Sequence, residues 1–222
     1  MATPKEVIKS AEEMIESAMW DAIADEDSKR ELERYKKAES LLLSLTDLSP
    51  DEDLEQKRVL SYCLMRMDEA LSNLGETEGS LNRAERSLQL AIESGDLVQI
   101  ARSRLAVGIR LLNEGDLRNA EMHFADIITG GIDSDDSEMQ QVVGWTLLVR
   151  ANILKGKSLY EQAVYVAEDA AGILSRVENY RGLEQVYSLM SKLYVDLGNP
   201  DKADEMNKMS KAFGVKGKEL HK

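Results

Sequence analysis

Five alanines set the strongest constraint on how this chain can fold. Ala38, Ala84, Ala120, Ala163 and Ala203 are separated by 46, 36, 43 and 40 residues, and similar neighbours recur around them. Turn-forming residues precede three of them: Gly79-Ser80, Gly115-Asp116 and Asn199-Pro200. Four and seven residues after the alanine stand Leu42 and Leu45, Leu88 and Ala91, Phe124 and Ile127, and Ala167 and Ala170. Steps of three and four place such a set on one face of a helix. A unit that repeats about every 40 residues cannot bury its apolar face alone, so neighbouring copies must stack.

Between these marks the apolar period continues. Ile8, Ala11, Ile15, Ala18 and Ala22 form one stripe, with Met14, Met19 and Ile23 widening it. Leu60, Leu64, Met67, Leu71 and Leu74 form another, and Val143, Leu147, Ala151 and Leu154 a third. All three prolines fall at helix starts. Thr3-Pro4-Lys5-Glu6 and Ser49-Pro50-Asp51-Glu52 read as capping boxes, with Pro at the first helical position. Asn199-Pro200 repeats the arrangement, and Asp96 and Asp116 read as caps behind the glycines that end the preceding helices. Ser134 is the expected cap after a break at Gly130-Gly131. The pattern predicts ten helices, over 4–25, 28–46, 50–74, 80–93, 97–113, 117–129, 135–155, 159–177, 180–197 and 200–213. Their short joints favour antiparallel hairpins.

The clearest unit is Gly108-x2-Leu111-x3-Gly115-Asp116-Leu117-x2-Ala120-x3-Phe124-x2-Ile127. It resembles the tetratricopeptide (TPR) repeat: a small and a large residue on a first helix, a turn, then Ala and an aromatic on the second. Small residues let two helices approach, and large ones fill the space beside the crossing. The family's usual repeat is ~34 residues, so these longer separations resemble its extended variant. The resemblance implies an all-α, right-handed superhelix (α-solenoid) of about five antiparallel hairpins: 4–46, 50–93, 97–129, 135–177 and 180–213. These would form a single domain over 1–215, with a basic tail over 216–222 expected to be disordered. The last helix departs from the pattern at Asn207 and Ser210, and its polar face suits a terminal cap. Met206, Met209 and Phe213 there are compatible with a homodimer but do not require one.

The residues of catalysis are missing as patterns. There is no Gly-rich phosphate loop, no G-x-S-x-G elbow and no G-x-G-x-x-G. A di-iron helical bundle needs paired Glu-x-x-His motifs, yet Ala120 stands three before His123 and Lys218 three before His221. Adjacent acids such as Glu12-Glu13 and Asp135-Asp136 suit solvated faces and helix starts. Neither an enzyme nor a metal or cofactor site is expected. The net charge of −13 argues against nucleic acid, which needs clustered Lys and Arg. Residues 1–55 carry 16 acidic and 7 basic groups, whereas 201–222 carry 4 and 6. Cys63, the sole cysteine, sits on an apolar stripe with Leu60, Leu64 and Met67 and reads as a buried thiol in a reducing cytoplasm. No apolar run reaches the ~20 residues of a membrane span, and the first segment lacks the apolar core of a secretory signal.

The expected function is therefore an adaptor or scaffold for protein–protein interaction. In the resembled family, first helices line a concave groove that holds a peptide or protein segment. Carried onto this chain, that implies Arg102, Leu105, Ile109 and Leu112, then Trp145, Leu148, Asn152 and Lys155, then Gln185, Ser188, Lys192 and Val195. The carboxylate clamp of chaperone-binding members is not reproduced, because Leu105, Ala106 and Ile109 occupy its positions. Arg102, Asn152, Lys155 and Lys192 would suit an acidic or phosphorylated segment. Trp145 reads either as a binding anchor or as part of a central helix covered on two sides. The alternative to a scaffold is a regulatory peptide sensor acting through a separate effector chain.

Overall fold

The computed structural model describes residues 2–25 and 27–219, without the side chains of 20–25, so Ala22 and Ile23 of the expected first stripe lie outside the described side chains. Ten helices and no strand are present among the described residues. They are α1 Pro4–Asp25, α2 Ser28–Leu43, α3 Pro50–Asn73, α4 Ser80–Ser94, α5 Leu97–Asn113, α6 Leu117–Gly131, α7 Ser137–Gly156, α8 Tyr160–Arg176, α9 Tyr180–Asp196 and α10 Pro200–Glu219. None is long and apolar enough to cross a membrane. The chain divides into two compact units, Met1–Glu121 and Met122–Lys222.

The helix starts follow the expected chemistry. The Ser49 hydroxyl accepts from the Glu52 amide at 3.4 Å, and the Glu52 carboxylate accepts from the Ser49 amide at 2.9 Å. Thr3 and Glu6 make the same reciprocal pair. Asp96 accepts from the Gln99 amide at 2.7 Å, and Asn199 from the Lys202 amide at 3.1 Å. Gly95 and Gly115, at φ 75° and 84°, close the preceding helices in the left-handed conformation that glycine adopts without steric cost.

At Gly130-Gly131 the expectation was a break, but α6 runs through both glycines. A Cβ on Gly131 would lie 2.7 Å from Val143 Cγ2, so this glycine serves a close approach to α7. The cap of α7 is accordingly Asp136, which accepts from Glu138 and Met139 at 2.8 and 3.1 Å, and Ser134 instead accepts from the Asp136 amide. Gln140 Nε2 donates to the carbonyls of Gly131, Ile132 and Ser134 and ties the loop down.

All five anchoring alanines are buried. In the first unit α1, α2, α3 and α4 close around Ile15, Tyr35, Leu42, Val59 and Cys63, and α5 packs on α3 and α4. Burial pushes the Cys63 thiol up to about 12, and its Sγ donates to the Tyr35 carbonyl at 3.3 Å. In the second unit α7, α8, α9 and α10 pack in succession. Leu174 of α8 fills the space left by two glycines: a Cβ on Gly144 of α7 would lie 2.6 Å from it, and one on Gly182 of α9 2.9 Å.

The tail departs from expectation. Residues 216–219 continue α10, while 220–222, including His221, lie outside the described residues. Phe213 stacks with Tyr187 and Tyr180 at 5.4 and 6.2 Å, and the Lys216 ammonium sits 4.3 Å over the Tyr180 ring. Aromatic stacking and a cation over a π face add to the favourable placement of Lys216 and Lys218 in the last turn of a helix.

Candidate functional site

The second unit contains a cleft of about 390 Å³ between α7, α9 and α10. Its lining from α7 is Leu148 and Asn152. From α9 come Arg181, Glu184, Gln185, Ser188, Leu189 and Lys192, and from α10 Ser210. The steps along α9 return to one helix face every three or four residues. Leu148 and Leu189 are buried and form the apolar floor, while Asn152, Arg181, Gln185 and Lys192 are exposed on its walls. Ser210 donates to the Glu184 carbonyl at 2.9 Å and fastens α10 to α9. A Cβ on Gly214 would meet the Glu184 carboxylate at 2.6 Å, so that carboxylate lies against α10.

Five side chains expected in the groove meet here: Leu148, Asn152, Gln185, Ser188 and Lys192. Leu148 differs in being floor, 4% exposed, because the cleft opens between α7 and α9 above it. Asn152 donates to the Leu148 carbonyl one turn earlier, at 3.0 Å. Lys155 does not line the cleft; its ammonium is paired with Asp196 of α9 at 3.3 Å. Trp145 is half-buried on α7 and Val195 is exposed on α9, both outside the lining. Arg181, Glu184, Leu189 and Ser210 complete the lining; the sequence pattern had placed Ser210 on a terminal cap and had not singled out the other three. Arg181 was detectable in principle, since it stands four before Gln185 on the same helix face.

The remaining expected residues belong to the first unit. Leu105, Ile109 and Leu112 are half-buried along α5. The Arg102 guanidinium lies 5.7 Å over the ring of Tyr62 on α3. Burial raises the Tyr62 phenol above its ordinary pKa, and its hydroxyl donates to Met19 Sδ at 3.7 Å. Nearby, Arg66 is 3.5 Å from the Glu31 carboxylate, which also accepts from the Tyr35 hydroxyl. Burial pushes the Tyr35 phenol strongly upward. Arg66 also pairs with Glu69 at 2.5 Å, while its buried Nε has no hydrogen-bond partner among the described residues.

A second, smaller cleft of about 260 Å³ in the first unit is lined by Asp51, Leu54, Glu55, Arg58, Ser94, Gly95 and Asp96. Arg58 bridges Glu12 and Glu55 at 2.6 and 2.7 Å, and its hydrogen bonds to Glu55 and Glu12 hold the guanidinium pKa above its ordinary value. Among the described residues no three His, Cys, Asp or Glu side chains are placed to hold a metal ion.

No protein-family model and no curated protein matches the sequence. The fold, however, is shared with solved structures. The chain is similar to BtubC from P. vanneervenii, with TM-score 0.60 and 14% identity over 98% of this chain and 93% of that one. It is similar to TPR-like repeats described as a Podosopora anserina kinesin light chain, with TM-score 0.59 and 12% identity over 98% and 99%. It is also similar to a Rap conjugation gene regulator of plasmid pLS20 in complex with the Phr* peptide. There the TM-score is 0.62 and the identity 17%, over 89% of this chain and 51% of that one. Identities this low speak to architecture, and the architecture of this chain is that of the TPR-like helical-repeat proteins.

Proposed function

We propose that the protein is a binding scaffold whose ligand, a peptide or protein segment, lies along α9 in the cleft between α7 and α10. The observation that carries this reading is the convergence of Asn152, Gln185, Ser188 and Lys192 around the Leu148–Leu189 floor. Seven of the nine lining side chains are polar or charged, a composition that suits hydrogen bonding to a peptide better than enclosure of an apolar small molecule. Side-chain amides and hydroxyls can both donate to and accept from a peptide main chain. The Rap regulator, which shares the fold, is solved with a peptide bound. That likeness also favours a second reading, a peptide-responsive regulator acting through a separate effector. Both readings use the same cleft, involve no cofactor and need no second copy of the chain.

A photo-crosslinking residue introduced at Gln185 tests the reading. In extract from the native host, the full chain should crosslink a discrete peptide or protein through position 185. The same group at Glu168, exposed on α8, should not. Equal labelling from both positions would remove the cleft as the site.

A further inference from the structure

Two cations stand along the cleft, both on α9: Arg181 and Lys192. Eleven residues are three helical turns, so the two side chains leave one face about 16 Å apart along the axis. Among the described residues neither has an ion-pair partner. The neighbouring cations differ: Lys155 is neutralised by Asp196, and Lys202 lies over the ring of Tyr194 at 5.1 Å. The single carboxylate of the lining, on Glu184, is placed against Gly214 of α10. Asn152, Gln185 and Ser188 are uncharged, so the wall carries net positive charge in a chain of net −13.

An extended peptide advances about 3.3 Å per residue. Side chains of an extended chain alternate between two faces, so two that meet one helix face stand an even number of steps apart; four steps, about 13 Å, come nearest, and the long Arg and Lys side chains span the rest. We infer that the cleft takes an extended peptide with carboxylate side chains at positions i and i+4, one paired with Arg181 and the other with Lys192. The uncharged wall between them faces the peptide main chain. This inference rests on the cleft being a peptide site and adds the charge and length of its occupant. Opposite charges at fixed separation also set register, since a shift by one residue leaves both ends unpaired.

The test uses the full chain, immobilised, and three pools of acetylated, amidated pentapeptides with random neutral residues at positions 2–4. Positions 1 and 5 are both Asp, both Asn, or both Lys. The Asp-ended pool should be retained about tenfold more than the Asn-ended pool, the size that two solvent-accessible ion pairs add up to. The preference should fade in high salt. In the double variant Arg181→Glu/Lys192→Glu it should pass to the Lys-ended pool, with an unchanged circular dichroism spectrum. A Ser188→Arg variant, which fills the cleft, should release every pool. Equal retention of Asp- and Asn-ended pools, abolished by Ser188→Arg, would overturn the acidic ligand and leave the peptide site standing. Retention of no pool above background would overturn both.

Discussion

Asp68 on α3 is 1% exposed. Its carboxylate accepts from the Ser80 hydroxyl at 2.7 Å, Arg83 Nε at 3.1 Å and Arg110 Nε at 2.7 Å, joining α3, α4 and α5. Removing one member of such a cluster strands the others in a medium that solvates charge poorly. Asp68→Ala should therefore cost about 3–5 kcal/mol in urea unfolding, and Asp68→Asn less, because its amide oxygen still accepts. A cost near zero would show that the arginines reach water instead. Ser61, Ser87, Ser103 and Gln99 form a second buried network, with Ser61 Oγ 3.1 Å from Ser103 Oγ. Neither network could be read along the chain, because the partners of Asp68 lie 12, 15 and 42 residues away. Cys63 was legible, since its apolar neighbours at helical spacing foretold burial. With its thiol pushed up to about 12, Cys63 should resist a thiol-specific disulfide reagent at pH 8 until the chain is unfolded.

At the scale of the element, two kinds of residue set the helices: caps that start them and small residues that let them touch. The Glu6 carboxylate is held below its ordinary range by hydrogen bonds from the Thr3 backbone and side chain, and that of Glu52 by bonds from the Ser49 side chain and backbone. A carboxylate lowered in the folded state contributes stability that is fully present above its unfolded pKa, about 4.3. That contribution is lost as pH falls through the lowered folded value. Thermal stability should thus hold from pH 7 to about 5 and decline below. Glu6→Gln with Glu52→Gln should flatten the decline while keeping both capping boxes, since Gln also fits the third position. Gly144 illustrates the small residues. Its Cβ would meet buried Leu174 at 2.6 Å, too close for a Cβ contact, so Leu174 must shift. Gly144→Ala should cost about 1–3 kcal/mol by overpacking, despite the better helix propensity of alanine. A stabilised variant would show that Leu174 shifts freely.

For the whole molecule, charge is the property that no single contact reports. The net of −13, concentrated in residues 1–55, repels itself in the compact state. Raising salt from 10 to 300 mM should screen this repulsion and raise Tm by about 2–4 °C, equivalent to ~1 kcal/mol. A fall in Tm over that range would mean that ion pairs such as Arg58–Glu12 and Lys155–Asp196 outweigh the repulsion. Within each unit, stability comes from neighbouring helices alone, as in other helical repeats. The cleft of the second unit follows from this, because packing of α7 and α10 on α9 leaves one α9 face between them.

From sequence alone, the ten helices, their order and the five buried alanines could be written down. Helix period, caps and turn glycines act over three to five residues, and that information lies within the segment it governs. Helix ends were least legible where a distant group intervened. Gly130-Gly131 carries two helix breakers, but the approach of Val143 makes them a contact within a continuing helix. The aromatic stack of Phe213 on Tyr180 and Tyr187 likewise extends α10 beyond its apolar pattern. The candidate site divides the same way. Asn152, Gln185, Ser188 and Lys192 share a face predictable from the helical period. Only packing determined that Leu148 lies beneath them and that Asp196 withdraws Lys155. Those outcomes depend on which side chains meet across helices, and a one-dimensional period carries no record of that.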